Sequence, residues 1–201
     1  MKYYWRSLTD EQREEVRTYR RLGNQPRHSL PHFDSDENRD YLITGTCYEH
    51  KHIVGASPSR MQEFCGQLLD LLTRYSENVS AWCLLPNHYH ALARTRQIKE
   101  LRKQIGLFHG RTSFKWNGED GARGRTVWRN CFERKIRSER HYFATVNYIL
   151  HNPVHHGYVQ SWEEWPWSNA SEYLTAVGRE AAVQIWNEFP VLDYGAGWDE
   201  D

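Results

Sequence analysis

Two strand-like runs, 79–85 and 88–95, restrict the fold of this chain most, because only the breaker Pro86-Asn87 separates them. Other segments complete a recurring order. Strand composition is found at 41–48 and 127–136, and apolar residues at helical spacing are found at 59–75 and from 98 to 108 or somewhat beyond. Strand, helix, strand, strand, helix, strand is the ferredoxin-like βαββαβ plan. We therefore predict an α+β fold, with an antiparallel sheet and helices on one of its faces.

A third helix is predicted after the last strand, as an addition to this plan. Its inward face carries Tyr142, Val146 and Ile149, whereas Tyr148 lies on a different arc. We expect Pro153 to end the helix, because proline lacks the amide hydrogen that a helix interior needs.

The chain divides into three predicted parts. Residues 1–37 form an arm, in which a polar helix that starts at Thr9 is followed by a Pro/His-rich loop. Residues 38–160 form the main domain, and residues 161–201 form an acidic, aromatic C-terminal extension.

Length and composition exclude several classes of protein. The chain has 201 residues, enough for one compact domain with appendages. No stretch approaches the roughly 20 apolar residues of a membrane span, and the N-terminus lacks the apolar core of a signal peptide. We expect a soluble, cytoplasmic protein. The four cysteines are scattered without a CxxC pair, which indicates buried free thiols and not a zinc site.

Four polar residues form a candidate site. His88 and His90 are two residues apart, so in a strand they point to one face, where neutral imidazole nitrogens can bind a divalent cation. On the third helix, Tyr148 and Asn152 are four residues apart and lie on one face, so that a phenol oxygen and an amide oxygen converge.

Charged residues are unevenly distributed, although 26 basic and 26 acidic residues give a net charge of zero. Residues 94–140 hold fourteen Lys/Arg and five Asp/Glu, a net charge of +9. Residues 161–201 hold one arginine and nine acids, a net charge of −8, and are a candidate cover for the basic block. Cations with interleaved aromatic rings suit single-stranded nucleic acid, because phosphates pair with cations and exposed bases stack on rings.

The candidate DNA-binding residues are Arg94, Arg96, Arg111, Lys115, Trp116, Arg123, Arg125 and Arg129. Arg94 and Arg96 have the same strand parity as the histidine pair, which makes them the best-placed phosphate contacts. A merely solvated charged face is the competing interpretation.

Three short motifs stand in order along the chain: PNHYH at 86–90, YILHNPV at 148–154 and WPWS at 165–168. Together they resemble the single-tyrosine HUH transposases, and most closely the REP-associated tyrosine transposases. The resemblance covers roughly residues 41–175.

This resemblance implies a metal-dependent enzyme that cleaves and joins single-stranded DNA. In such enzymes a histidine pair and one further polar ligand hold Mg²⁺ or Mn²⁺. By matching motif, the implied ligands are His88, His90 and Asn152. Tyr148 is the implied nucleophile, which forms a 5′-phosphotyrosine link and frees a 3′-hydroxyl. The implied partner is hairpin or palindromic repeat DNA, and the implied location is the nucleoid.

Several alternatives stay open. The same fold could serve a catalytically silent hairpin-DNA-binding protein or regulator, or a metal-dependent phosphohydrolase of small nucleotides. His151, His155 and His156 are close enough in sequence to compete as metal ligands. Trp165 and Trp167 either stack on bases or, as we favour, pack on the core. The active form is a monomer or a homodimer.

Overall fold

The computed structural model describes Thr9, residues 38–129, residues 131–192 and residue 194. Apart from Thr9, the predicted arm lies outside the described residues, as does the end of the acidic extension from residue 195. The division into three parts stays a prediction.

Four strands form one antiparallel sheet in the order β2-β3-β1-β4. They are β1 (Arg39–Thr46), β2 (Asn78–Leu84), β3 (His88–Thr95) and β4 (Phe132–Lys135). Strand β1 pairs with β3 on one side and with β4 on the other. The predicted α+β fold with an antiparallel sheet is confirmed.

Helices cover both faces of the sheet. Helices α1 (Pro58–Tyr75) and α2 (Ile98–Glu119) pack on one face, and α3 (Glu139–His155) packs on the other. Alternate residues of a strand point to opposite faces, so Ile43 enters the first core and Leu42 the second. The added helix α3 is therefore the element that can reach the face opposite α1 and α2.

Helix α2 ends at Glu119, well beyond the end predicted near residue 108. Phe108, Thr112 and Trp116 are buried and continue one stripe at intervals of four residues. Gly106 and Gly110 interrupt this pattern in the sequence, because glycine lowers helix propensity. Burial of the stripe against the core outweighs that local preference.

The predicted strand 127–136 is regular only over Phe132–Lys135. Before it, the chain follows the end of β1 with isolated contacts. The Val127 carbonyl accepts a hydrogen bond from the Tyr48 amide (2.8 Å), and Trp128 forms a single bridge with Cys47. This segment therefore runs beside the end of β1, where a neighbouring strand would lie, without forming a regular strand.

Helix α3 passes Pro153 and ends at His155, so the prediction that Pro153 ends the helix is wrong. The proline lies in the last turn, so it removes one amide donor near the end of the helix and leaves the bonds of the earlier turns intact. The amide of His156 still donates to the carbonyl of Asn152 at 3.1 Å. Asn152 therefore keeps a helical position.

The C-terminal extension begins along the edge of β2. The Trp167 carbonyl accepts from the Leu84 amide, and Trp165 Nε1 donates to the Leu84 carbonyl, both at 2.8 Å. Both indoles pack against the core, which confirms the packing interpretation of the Trp-Pro-Trp motif. Helices α4 (Ala170–Val177) and α5 (Arg179–Glu188) follow.

The cysteines have the state that their scattered spacing predicts. All four thiols are free, and three of them are buried, Cys131 being intermediate. In the part of the chain that the structure describes, no helix is long and apolar enough to cross a membrane.

Candidate active site

The two histidines of β3 lie side by side on the face that α3 covers. His88 and His90 are 0% and 1% exposed, and their ring centroids are 5.0 Å apart. The intervening Tyr89 points to the other core, where its hydroxyl lies 3.1 Å from Nε2 of His109. The two histidine side chains therefore point to the same face of the sheet, as their spacing predicted.

Asn87 sets the orientation of the His88 ring. Its Nδ2 donates to the His50 carbonyl (3.1 Å), which leaves its Oδ1 to accept from His88 Nδ1 (2.8 Å). In the neutral ring the proton then sits on Nδ1, and Nε2 carries the lone pair. That lone pair points to Asn152 Oδ1, 3.0 Å away. With the amide in this orientation two acceptors face each other, an arrangement that a cation between them would stabilise.

Thr44 has the corresponding role beside His90. The two residues are opposite each other in the β1–β3 ladder, and Thr44 Oγ1 lies 2.8 Å from His90 Nδ1. If the hydroxyl accepts from Nδ1, the Nε2 lone pair faces the Tyr148 hydroxyl, which lies 3.3 Å away. The Tyr148 O–H then donates to His90 Nε2.

Helix α3 brings the other two predicted residues to this point. Ser138 caps its start by accepting from the His141 amide at 3.1 Å. Tyr148 and Asn152, one turn apart, are 6% and 1% exposed and face the histidines. The four predicted site residues are therefore in contact, although they come from segments about sixty residues apart.

The donor set fits a divalent cation. The cluster offers two imidazole nitrogens and one amide oxygen, a mixed set that suits Mn²⁺ as well as Mg²⁺. The Asn152 Nδ2 atom is buried and has no hydrogen-bond partner among the described residues, which is the cost of turning Oδ1 toward His88. Within the same residues, no group of three or more His, Cys, Asp or Glu side chains could hold a metal. A cation bound here therefore depends on the amide oxygen of Asn152.

The competing histidines of the third helix are placed differently. His151 packs against Trp186, with 4.8 Å between ring centroids, and burial lowers its pKa. His155 is exposed. The ring of His156 lies 5.1 Å from that of His88, so it borders the site.

Tyr194 adjoins the candidate nucleophile and was not predicted as a site residue. Its ring centroid is 5.7 Å from that of Tyr148, and its hydroxyl lies 3.0 Å from His141 Nε2 and 2.7 Å from Thr145 Oγ1. Burial raises the pKa of the Tyr194 phenol. The described part of the acidic extension thus packs on α3. No local sequence signal links Tyr194 to a residue 46 positions earlier in the chain.

Comparison with known proteins gives a consistent result. No family model matches the chain. A Haemophilus influenzae protein whose name places it among the REP-associated tyrosine transposases is 26% identical over 150 residues, which cover 66% of this chain and 79% of that protein. The chain resembles the REP-associated tyrosine transposases, as predicted.

Two further comparisons extend this likeness. The REP-associated tyrosine transposase of Escherichia coli K12 is 29% identical over 103 residues, and the match spans about half (52%) of its length and 45% of this chain. A solved structure of a REP-associated tyrosine transposase bound to a REP hairpin superposes with a TM-score of 0.57 at 18% identity, covering 74% of this chain and 86% of that one. At this identity the structural likeness shows the fold.

Trp116 lies in the core, so the prediction that it contacts DNA is wrong. It is 2% exposed, and its ring packs against Phe64 and Trp128 at centroid distances of 5.5 and 5.8 Å. The Arg60 guanidinium lies 5.4 Å from the ring centroid. Because α2 is longer than predicted, this position turns inward, and no ring face remains for a base.

Arg94 shares the face of the histidines but lies far from them. Six residues separate it from His88, which is roughly 20 Å along a strand. Its side chain is half exposed and lies 4.0 Å from Asp40. Arg96 follows the end of β3 and pairs with Glu77 at 3.2 Å. Shared strand parity therefore does not bring these two arginines to the candidate active site.

The remaining basic candidates surround the second half of α2 and the loop after it. Arg111 and Arg129 are exposed. The others have acidic or aromatic contacts: Lys115 with Glu63, Arg123 with the Phe114 ring, and Arg125 with Asp120. Their side chains are thus held in place on one side of the domain.

Proposed function

We propose that this protein is a metal-dependent single-stranded DNA endonuclease and strand transferase that acts on hairpin or palindromic repeat DNA. The observation that carries the proposal is the contact between the Tyr148 hydroxyl and His90 Nε2 (3.3 Å), next to the contact between His88 Nε2 and Asn152 Oδ1 (3.0 Å). A nucleophile beside three cation ligands is the minimum that tyrosine cleavage of DNA needs.

His88, His90 and Asn152 would hold Mg²⁺ or Mn²⁺. Such a cation, when bound, polarises the scissile phosphate and stabilises the negative charge that develops on its oxygens. Asn87 and Thr44 keep the two imidazole Nε2 atoms directed inward. Helix α3 holds the Tyr148 oxygen beside them, which lowers the entropic cost of positioning the nucleophile.

In the proposed step, the Tyr148 oxygen forms a bond to phosphorus and the bond from phosphorus to the 3′-oxygen breaks. The phenol proton passes to water, and the departing 3′-oxygen takes up a proton from water to become a hydroxyl, so that no net proton is gained or lost. The product is a 5′-phosphotyrosine link. A second 3′-hydroxyl can reverse the step and join two strands, because the energy of the broken bond is kept in the link.

The likeness to a hairpin-bound protein supports hairpin DNA as the partner. One structural neighbour is described as bound to a REP hairpin, and the basic residues around α2 supply the charge that a phosphate backbone requires. We therefore propose hairpin DNA with single-stranded segments as the substrate and the nucleoid as its location, with the protein acting as a monomer or a homodimer.

Incubation with end-labelled hairpin DNA and Mn²⁺, followed by a denaturing gel, tests the proposal. Native protein is expected to give a slowly migrating adduct that Tyr148→Phe and His88→Ala both lose. Tyr142→Phe, on the same helix, is the matched control and is expected to keep it. Binding without an adduct over a varied set of hairpins would favour a recognition protein. Hydrolysis of small nucleotides without an adduct would favour a phosphohydrolase.

A further inference from the structure

An aromatic pocket lies beside α3, on a different arc of the helix from Tyr148 and Asn152. Its volume of about 350 Å³ is at the lower end of the range for small-molecule sites. Residues of α3, α4, α5 and the segment 160–162 line it. We call it the α3–α5 pocket. The proposed cleavage of DNA uses none of the side chains that line it.

Aromatic rings form part of the wall. The Trp186 ring contacts both His151 and Trp162, with centroid distances of 4.8 and 6.3 Å and interplanar angles of 58° and 62°. All three side chains are half-buried, so part of their ring surface is open. Rings inclined in this way let a planar guest face one of them and present its edge to another, the two arrangements that aromatic pairs prefer. The rest of the wall is aliphatic: Val154, Leu174, Ala182 and Val183.

The charged side chain in the lining is basic. Arg179 lines the pocket, and the described residues that line it include no other arginine, no lysine and no acidic residue. Gln160 and Ser161, also in the lining, add neutral hydrogen-bonding groups. A ligand that fits this lining combines an apolar ring with a negative group, because Arg179 attracts an anion and repels a cation.

Glu163, outside the lining, holds Arg179 in place. Nη2 of Arg179 donates to Glu163 Oε1 at 2.5 Å, and this hydrogen bond lowers the pKa of the Glu163 carboxyl. The described contacts of Arg179 use only Nη2, so the other guanidinium nitrogens can donate to a carboxylate. Glu163 offsets part of the charge, so the attraction acts mainly over hydrogen-bond distance. The ordered guanidinium lowers the entropic cost of binding.

The pocket joins the C-terminal extension to the helix that carries the proposed nucleophile. His151 directly precedes Asn152 on α3, whereas Arg179 and Trp186 belong to α5. A ligand in the pocket therefore contacts both helices. Because these walls come together only in the folded chain, such a ligand binds the folded form and raises the temperature of unfolding.

From this geometry we infer that the α3–α5 pocket binds a small aromatic carboxylate, with its ring against Trp186 and Trp162 and its carboxylate on Arg179. The inference goes beyond the proposed function, since no DNA takes part in it. It adds a small-molecule site that adjoins the helix of the candidate active site without overlapping that site.

Calorimetric titration of the full chain at neutral pH tests this inference with two probes, 1-naphthylacetate and its neutral analogue 1-naphthylacetamide. Arg179→Gln removes the charge, and Val183→Trp fills the pocket from a side chain that is 53% exposed. Arg102→Gln is the matched control, because Arg102 is also an exposed arginine that donates to one glutamate, Glu133 at 3.0 Å, outside this pocket. Thermal unfolding without probe would verify that the variants fold.

Native protein and Arg102→Gln are expected to bind 1-naphthylacetate with a Kd of roughly 0.1–1 mM, as suits a ligand of this size. They are expected to bind the amide about tenfold more weakly, because the charge-assisted hydrogen bond is lost. Arg179→Gln is expected to bind both probes with the affinity that native protein has for the amide. Val183→Trp is expected to bind neither. The carboxylate is expected to raise the unfolding temperature of native protein.

Equal affinity of native protein for the two probes overturns the inference, as does unchanged binding of the carboxylate in Arg179→Gln or in Val183→Trp. Loss of binding in Arg102→Gln would place the probe outside the α3–α5 pocket and also overturns it. Absence of binding to the full chain has the same meaning. If binding then appears after deletion of residues 195–201, the occupant of the pocket is the chain itself and not a small molecule. Formation of the Tyr148 adduct is independent of all these outcomes.

Discussion

Two residues beside the histidines orient the imidazole rings of the candidate active site. Thr44 and Asn87 contact the Nδ1 atoms of His90 and His88 and direct both Nε2 atoms to α3. Neither residue is a proposed cation ligand or a nucleophile. Partners of this kind commonly contribute 10- to 100-fold to metal affinity or activity, because they fix the tautomer and the ring orientation of the ligand.

Thr44→Val removes the hydroxyl that contacts His90 Nδ1 and keeps the shape of the side chain. The rate of adduct formation at a fixed Mn²⁺ concentration is expected to fall about 10- to 100-fold, as measured in single-turnover reactions. Thr95→Val is the control, since Thr95 Oγ1 donates to the Tyr75 carbonyl (2.7 Å) at the other end of β3. A Thr44→Val rate equal to the native rate would show that the His90 tautomer does not depend on Thr44.

His109 makes the folded state sensitive to acid. Burial lowers the pKa of its imidazole to about 3, against 6.5 in an unfolded chain. The unfolded state therefore binds the extra proton first, and stability is lost as the pH falls from 6.5 toward 3, by up to about 1.4 kcal/mol per pH unit. Above pH 6.5 both states are neutral at this residue and the effect is absent.

Urea unfolding of native protein and His109→Gln between pH 5 and pH 7 measures this contribution. Glutamine cannot titrate and keeps a polar group near the Tyr89 hydroxyl. The free energy of unfolding is expected to fall less steeply with acid in the variant. Parallel pH profiles for the two proteins would mean that His109 takes up its proton without unfolding.

At the scale of helices and strands, the sequence predicted the elements that carry the motifs best. Strand β3 has the predicted bounds, His88–Thr95, because its alternation and the preceding breaker are strong local signals. Helix α2 was predicted too short, because its glycines lower the local helix propensity. The apolar stripe that stabilises the rest of the helix does so through tertiary packing. The contacts of Thr44 and Tyr194 with the site depend on pairing between distant segments, which local patterns do not encode.

Strand β1 needs a glycine at the point where it crosses Tyr89. A Cβ atom at Gly45 would overlap the Tyr89 ring, which is fully buried against Phe64 and Trp128. Gly45→Ala is therefore expected to lower the free energy of unfolding by about 1–3 kcal/mol in urea titrations.

Gly66→Ala is the corresponding control on α1. Its Cβ meets no atom within 4 Å, and the change is expected to raise stability by about 0.5–1 kcal/mol. If Gly45→Ala were as stable as native protein, the close packing of β1 on Tyr89 would be incorrect.

For the whole molecule, the described part of the C-terminal extension belongs to the same body as the site. Phe189 stacks on Phe143 with centroids 5.0 Å apart, and its carbonyl accepts from Asn147 Nδ2 at 2.9 Å. Tyr194 then lies against Tyr148. A second phenol therefore lies beside the proposed nucleophile, and which of the two forms the DNA link decides the mechanism.

Mass spectrometry of the protein–DNA adduct, after nuclease digestion of the DNA and proteolysis, tests the central claim most directly. The account predicts one modified peptide that carries a 5′-linked nucleotide on Tyr148, formed only with Mn²⁺ or Mg²⁺. A nucleotide on Tyr194, or a cleaved hairpin without any modified tyrosine, would contradict it.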